Sequence, residues 1–495
     1  MKYHSPVGRG DFMKMLGLGV VRTGATAAGP VFHDLDEVIA SPMAEWKRPW
    51  WVRWVDKPTV EVDWDRMQRF DGRKMQQVSW PKYIGEHVAR RFGQLRENRK
   101  KQWILEERPG YTLRDRALEL AAAQGGSVAT SFLGSWKELK EYWKDKKQFY
   151  ELSSHERSKL LKDAWAGRIL SPEELGVPRW EGSPEENARM VRAAVRYFGA
   201  EQVGFVELDE RTRKLVYAFD ALDGKALEFE NVDLAYETEN KRVIPERARW
   251  VIVFSVQMSE ELIKRTNGRV PTVLSASATS QAYARARNTI DRLQTFLHVL
   301  GYQGLMGTWY NGLGISPAFG VMAGLGELSR LNRIISPEYG PMQRIFKVVT
   351  DLPLAPTKPI DAGIMRFCHT CKRCAEACPV RVLSMETEPS WEVVGPWNNP
   401  GHRAYFDNAV KCRTYWPVNT VDCARCLAVC PFSHKDKSFI HKVVATTVSA
   451  SPLLNGFFTR MHTAFGYETP REPESWWDLH MPPFSINATK GTHLE

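Results

Sequence analysis

Residues 367–380, FCHTCKRCAEACPV, set Cys368, Cys371, Cys374 and Cys378 at intervals of three, three and four, with Pro379 directly after the last. Such a run gathers soft thiolates from one tight loop and the start of a helix, the arrangement that holds an iron–sulfur cube. A second set follows in residues 412–432, CRTYWPVNTVDCARCLAVCPF: Cys412, Cys423, Cys426 and Cys430, the last again followed by a proline, Pro431. These are all eight cysteines of the chain. In two-cluster ferredoxins the fourth cysteine of each run ligates the other cluster. The expected ligand sets are therefore Cys368, Cys371, Cys374 and Cys430 for the first cluster, and Cys378, Cys412, Cys423 and Cys426 for the second. The ten residues between Cys412 and Cys423 depart from the regular run. Zinc sites favour paired C-x2-C knuckles and disulfides need no such crowding, so two [4Fe–4S] clusters are the expectation.

A chain of 495 residues is several times longer than a ferredoxin module needs and allows two or three domains. The clusters therefore serve something upstream. A charged share of 25% and a hydrophobic share of 43% describe an ordinary folded protein with a large core, although 18 tryptophans are many. The net charge of +10 is spread along the chain, without an arginine-rich arm or a nucleic-acid module, so no nucleic-acid partner is expected. That excess suits an anionic cofactor, a membrane surface or a charged partner. No apolar run approaches the roughly 18 residues that span a bilayer.

The start of the chain has the pattern of a leader. In residues 8–30, GRGDFMKMLGLGVVRTGATAAGP, a basic and polar opening precedes a short apolar stretch and a small-residue signal, Ala25-Thr26-Ala27. It resembles a twin-arginine signal, with Gly10 in place of the second arginine and Arg22 interrupting the apolar part. A protein that carries assembled clusters out of the cytoplasm cannot be threaded unfolded, and the twin-arginine route carries folded cargo. From Phe32 to Trp180 the chain is charged and tryptophan-rich, as in EWKRPWWVRWVDKP, with helical stretches such as SSHERSKLLKDAW and no catalytic motif. Its tryptophans are expected in a core or an interface.

A sharper pattern begins at Ser183, where Ser183 with Glu186 forms a capping box, Pro184 opens a helix and Gly199 ends it. Strand-like runs follow, VGFVEL, KLVYAF, RWVIVFSV and FKVVTDLPL, with a long helix between them over about 279–300, closed by Gly301. This alternation predicts an α/β or α+β domain over residues 181–360 that houses the chemistry. On the long helix Tyr283, Ala286, Ile290, Leu293, Leu297 and Leu300 share one face, so Tyr283 points inward, as a packed residue also would. Glycines at 312, 314, 320, 324 and 326 would let backbone approach a flat ligand, although loops use glycine too.

The order of Tyr283, then YNGLG and AGLGELSR, then GPMQRIFKVVTDLPLAPTKP, then the two cluster runs resembles the corrinoid-dependent reductive dehalogenases of organohalide respiration. The resemblance covers residues 180–440 and extends loosely to the leader and the tryptophan-rich segment. It implies an α+β chain in which a nitroreductase-like α/β core encloses a corrinoid and a ferredoxin-like module follows. The expected divisions are 1–28 for the signal, 29–180 for the tryptophan-rich region, 181–360 for the core, 361–440 for the clusters and 441–495 for an extension. It also implies Tyr283 as catalytic tyrosine, Arg344 as its partner and Asn311 beside them. Trp416, Trp309 and Tyr310 are implied in the substrate pocket, and Gly312, Gly314, Gly324 and Gly326 at the cofactor.

Replacing carbon–halogen by carbon–hydrogen takes two electrons and one proton, so a reductant must stand beside a proton donor. The corrinoid cobalt is the implied reductant, fed by the clusters. A phenol is a weak acid near neutrality, and a guanidinium close by stabilises the phenolate and eases proton donation. The chain lacks a D-x-H-x-x-G segment; DLHMPP at 478–483 has no such glycine, so the resemblance implies a base-off corrinoid without a protein ligand to cobalt. It further implies a halogenated organic substrate, a small integral membrane anchor subunit, an upstream low-potential electron donor and a place on the outer face of the cytoplasmic membrane. Two other readings compete with this one. An epoxyqueuosine reductase has a similar core and cluster module but calls for an aspartate at the position of Tyr283, and a pure electron carrier leaves the Tyr283 to Arg344 series unexplained.

Overall fold

The computed structural model describes residues 51–116, 171–266, 272–307, 311–433, 439–464 and 471–486. The leader pattern and the helix expected over 153–165 lie outside them. Along the chain, β1 (Arg53–Trp54) precedes α1 (Gln76–Ile84) and α2 (Glu86–Leu105), and α3 (Pro184–Tyr197) leads into β2 (Gln202–Glu207). A small sheet of β3 (Ala226–Glu230), β4 (Tyr236–Glu237) and β5 (Lys241–Pro245) comes next, then β6 (Trp250–Gln257), α4 (Val273–Leu300) and β7 (Gly304–Leu305). After α5 (Ser316–Met322) the chain forms the hairpin β8 (Glu327–Leu328) and β9 (Ile334–Ile335), then β10 (Gln343–Thr350) and β11 (Ile360–Asp361). The cysteine-bearing part holds α6 (Ile364–Thr370) and α7 (Ala409–Asn419), and α8 (Phe439–Ala450) and α9 (Asn455–Ala464) follow.

The central sheet runs β2-β6-β10-β7, all neighbours antiparallel. Its strands alternate sides by the two-residue period of extended chain. Ile252, Phe254 and Val256 of β6 and Phe346 and Val348 of β10 face the core built with α4, while Val251, Val253 and Val349 face the core built with α5. Both faces are covered, which is why RWVIVFSV reads as a continuous apolar run. Phe254 and Phe346 stand opposite each other in the register and their rings stack at 5.6 Å.

The Ser183 hydroxyl caps α3 by accepting from the Glu186 amide, one half of the expected capping box, and Gly199 follows the helix with a positive φ. The long helix begins six residues earlier than expected, at Val273, and ends at Gly301 in the left-handed region. KLVYAF is not a strand. Asp209 accepts from the Arg211 and Thr212 amides and winds the chain into a 3-10 turn, Thr212–Leu215, and beyond it Val216 and Phe219 make only single bridges. Leu215, Val216 and Tyr217 are buried all the same.

The described part of the tryptophan-rich region, residues 51–116, packs against the core and the cysteine-bearing part. β1 pairs with β11, the Asp63 amide donates to the Gly401 carbonyl at 2.9 Å, and the Trp80 indole donates to Thr414 on α7 at 3.0 Å. Among the described residues no helix is long and apolar enough to cross a membrane.

Candidate functional site

A cavity of about 650 Å3 opens where the N-terminal residues, the central sheet and the cysteine-bearing part meet. On α4 the residues Ala276, Thr279, Ser280 and Tyr283 recur at helical spacing and all line it. Across from them β10 turns its even-numbered side chains toward α4, which brings Arg344 over Tyr283. The guanidinium carbon lies 5.5 Å from the centre of the tyrosine ring, and Phe346, two residues on, meets that ring edge-on at 5.6 Å. Tyr283 is only half-buried because its other side faces the cavity.

A short chain of polar groups fixes Arg344. Its Nη2 donates to Thr279 Oγ1 at 3.1 Å, and that hydroxyl donates to Asp422 Oδ2 at 3.2 Å. Burial pushes the Asp422 carboxyl up, against the pull of Arg344 and the Thr279 hydrogen bond. Asn311 also lines the cavity, in a left-handed conformation with φ of 57°. Below it the ammonium of Lys347 donates to the Asn311 carbonyl and, at 2.8 Å, to Ser316 Oγ. Arg333 lies deep in the molecule, yet 41% of its side chain is open, because that side faces the cavity; it stands 3.7 Å from Asp407.

The cysteines separate as the crossed-ligand rule predicts. Cys368, Cys371, Cys374 and Cys430 line one small pocket. Cys378, Cys412, Cys423 and Cys426 line the wall of the large cavity. None of the eight is in a disulfide. Burial pushes the Cys368 and Cys412 thiols up to about 12, a cost that iron coordination offsets by taking the thiolate as ligand.

A family model described as reductive dehalogenase subunit matches residues 47–354, and a 4Fe-4S dicluster domain matches residues 367–434. The chain belongs to the reductive dehalogenase family. The chloroethene reductive dehalogenase of Dehalococcoides mccartyi (strain VS) is 31% identical over 98% of this chain and 99% of its own length. The tetrachloroethene reductive dehalogenase of Sulfurospirillum multivorans is 31% identical over 66% of this chain and 67% of its own. Among solved structures, a catabolic reductive dehalogenase in complex with 3-bromo-4-hydroxybenzoic acid has the same fold, with a TM-score of 0.56 at 21% identity over 85% of this chain. The chain spans about half the length of that structure, 49%. This dehalogenase is an oxidoreductase with an iron–sulfur module, which sets aside the epoxyqueuosine reductase and electron-carrier readings.

The dehalogenase brings Tyr283, Arg344, Asn311 and Trp416 to one cavity, while Trp309 and Tyr310 lie outside the described residues. The glycines do something other than approach a ligand: Gly312, Gly314, Gly324 and Gly326 are not among the lining residues. A Cβ at Gly324 would stand 2.2 Å from the Lys358 carbonyl oxygen, one at Gly314 2.4 Å from that of Leu215 and one at Gly326 2.3 Å from that of Ile335. They are small so that protein backbone can pack on protein backbone. Gly312 continues the left-handed turn begun at Asn311, with φ of 55° and Met306 against it.

Part of the wall comes from where no motif was seen. Trp64, Met67, Phe70, Met75 and Gln77 of the N-terminal region line the cavity. Their one prior sign was aromatic density, which a core would also produce. Tyr217, from the misread KLVYAF run, lines it as well, and burial pushes its phenol up.

Lys347 yields a pH prediction. Burial pushes its ammonium down from 10.5 to about 7. Between those values the unfolded chain binds more protons, so stability rises with pH there; below about 7 both states are protonated and the full cost of burying the charge is present. Lys347→Met removes this term. Urea unfolding of anaerobic protein should show the variant's stability relative to the parent falling as pH rises from about 6 to about 10; a constant difference would contradict the assignment.

Proposed function

We propose that this dehalogenase uses the cavity to replace the carbon–halogen bond of a chlorinated ethene by carbon–hydrogen, with a base-off corrinoid as cofactor and Tyr283 as proton donor. The observation that carries the reading is the Tyr283 and Arg344 pair on one wall of a cavity whose other wall holds four cysteines of a cluster set. The names of relatives that act on chloroethene and tetrachloroethene favour chlorinated ethenes over chlorinated aromatics.

The residues present fit a corrinoid. Gln343, Arg344, Asn399, His402, Asp422 and Arg425 line the cavity, and each has a buried nitrogen or oxygen without a partner in the protein. Buried polar atoms without partners are costly, and a large ring edged with amide groups offers both donors and acceptors. When bound, a corrinoid supplies reducing power at cobalt to the carbon–halogen bond. The chain's own part is to place the substrate beside Tyr283, to hold the phenol hydroxyl toward the carbon that gains the proton, and to stabilise the phenolate with Arg344. Thr279 holds Arg344 in place, and the cavity's apolar walls exclude water. The balance is one organohalide, two electrons and one proton giving one hydrocarbon bond and one halide ion. Cys378, Cys412, Cys423 and Cys426 would hold a cluster at the cavity wall, and when bound it would supply electrons there from an upstream low-potential donor.

Absence of a D-x-H-x-x-G segment supports the base-off state. Burial keeps His402 neutral, at about 4, and it is the histidine among the lining residues that could take the ligand's role instead. The leader pattern supports export by the twin-arginine route to the outer face of the cytoplasmic membrane, with a small integral membrane anchor subunit as partner.

The test is metal and halide analysis of one anaerobic, corrinoid-reconstituted preparation. One cobalt with about eight irons, as two [4Fe–4S] clusters require, and halide release from chlorinated ethenes under a low-potential reductant is the expected result. Halide release from chlorophenols alone would overturn the substrate class; iron without cobalt would overturn the cofactor.

A further inference from the structure

The segment AGLGELSR carries two buried charges that the cavity does not use, Glu327 and Arg330. Glu327, at the start of β8, accepts from the amides of Ala362 at 2.6 Å, Ile364 at 3.1 Å and Met365 at 3.4 Å. Its carboxylate therefore holds the N-terminus of α6, the helix that presents Cys368. Arg330, in the turn after β8, is fully buried and reaches the other end of that helix.

Every acceptor of Arg330 is a backbone carbonyl. Its Nε donates to Cys368 at 3.0 Å and Cys371 at 3.1 Å, and its Nη2 donates to Cys368 at 2.6 Å and His369 at 3.4 Å. Nη1 donates to Ser384 at 2.7 Å and Glu386 at 2.6 Å. The guanidinium also lies 4.1 Å over the ring of Tyr405. Hydrogen bonds are thus satisfied, but a full positive charge sits in the interior with only neutral acceptors. Burying such a charge is expensive unless an opposite charge stands near it. The group it borders is the pocket lined by Cys368, Cys371, Cys374 and Cys430, which Arg330 itself lines. Arg333, three residues on, differs: its charge faces Asp407 at 3.7 Å.

We propose that Arg330 is the counter-charge of the first cluster and raises its reduction potential, while its hydrogen bonds fix the loop that presents Cys368 and Cys371. On reduction that cluster takes one electron from its donor, and no bond or proton changes place. The added negative charge is attracted by a fixed cation in a medium of low dielectric, so the reduced form is stabilised over the oxidised one. The inference rests on these four cysteines holding a [4Fe–4S] cluster, which iron analysis tests separately: a parent protein with about four irons and no first-cluster signal would remove that reading and this proposal with it, whereas full loading with unmoved potentials removes this proposal alone.

The experiment is an EPR-monitored redox titration of the anaerobically loaded parent, Arg330→Gln and Arg330→Lys. In Arg330→Gln one cluster is expected to titrate at lower potential than in the parent, with the other unmoved, and Arg330→Lys is expected to load fully and keep the parent's potential. A fully loaded Arg330→Gln with both potentials unchanged overturns the proposal. Where the Gln protein does not load its first cluster, the Lys protein decides. Full loading at the parent's potential supports the charge role; a lowered potential, or failure to load, overturns it and leaves Arg330 a clamp for the loop alone.

Discussion

Tyr283→Phe lowers dehalogenation by about 100- to 10,000-fold, the range of a lost general acid, and leaves cobalt and iron content at the parent's level. The substitution removes one hydroxyl and keeps the ring. That ring's edge-on contact with Phe346 at 5.6 Å and its place under Arg344 at 5.5 Å need no oxygen, so packing and the neighbouring charge persist. The loss therefore falls on proton delivery. Single-turnover halide release from prereduced enzyme measures it without interference from electron supply. A Phe variant that turns over at the parent's rate with both cofactors loaded would end the assignment. Arg344→Leu is expected to lose activity in the same assay through a different route. It removes the guanidinium that lies over the tyrosine ring and the donor to Thr279, so turnover should fall while cobalt and iron content hold; turnover at the parent's rate would leave Arg344 without a part in the reaction.

Cys412→Ser removes about four of eight irons, the content of one [4Fe–4S] cluster, and abolishes turnover. Cys412 is the cysteine that breaks the regular spacing, eleven positions before Cys423, and it reaches the set only because α7 carries it to the cavity wall beside Cys378, Cys423 and Cys426. A serine hydroxyl is a harder and weaker ligand for iron than a thiolate. Cys368, Cys371, Cys374 and Cys430 line a separate pocket, so the cluster they would hold is expected to survive and one EPR signal should remain on reduction. Retention of eight irons and both signals would remove Cys412 from the ligand set. The expected loss of turnover follows from the place of this set on the cavity wall, where the cluster it would hold stands between the electron supply and the cavity.

Some of this was legible from residues close together in the chain. A thiolate set spaced for one loop, a capped helix at Ser183 and the apolar runs of β2, β6 and β10 are local patterns, and the structure keeps all of them. KLVYAF failed because its composition fits any buried segment. A strand needs a partner along its length, and Asp209 had already turned the chain. The glycines failed for a related reason: a missing side chain announces close approach without saying what approaches, and at Gly324 it is the Lys358 carbonyl.

The sequence by itself determined the two cysteine sets, the main helices and strands of the core and the family, because ligand spacing and hydrophobic period act over a few residues. The tertiary structure alone decided which cluster meets the cavity and that Trp64, Met67 and Phe70 wall it. It alone decided that Lys347 sits beneath Asn311 and that Arg330 grips the loop of Cys368 and Cys371. These are contacts between residues tens to hundreds of positions apart. A lysine or arginine in a list of residues reads as a solvated surface charge, and only the packing around it removes the water and gives the charge something to hold.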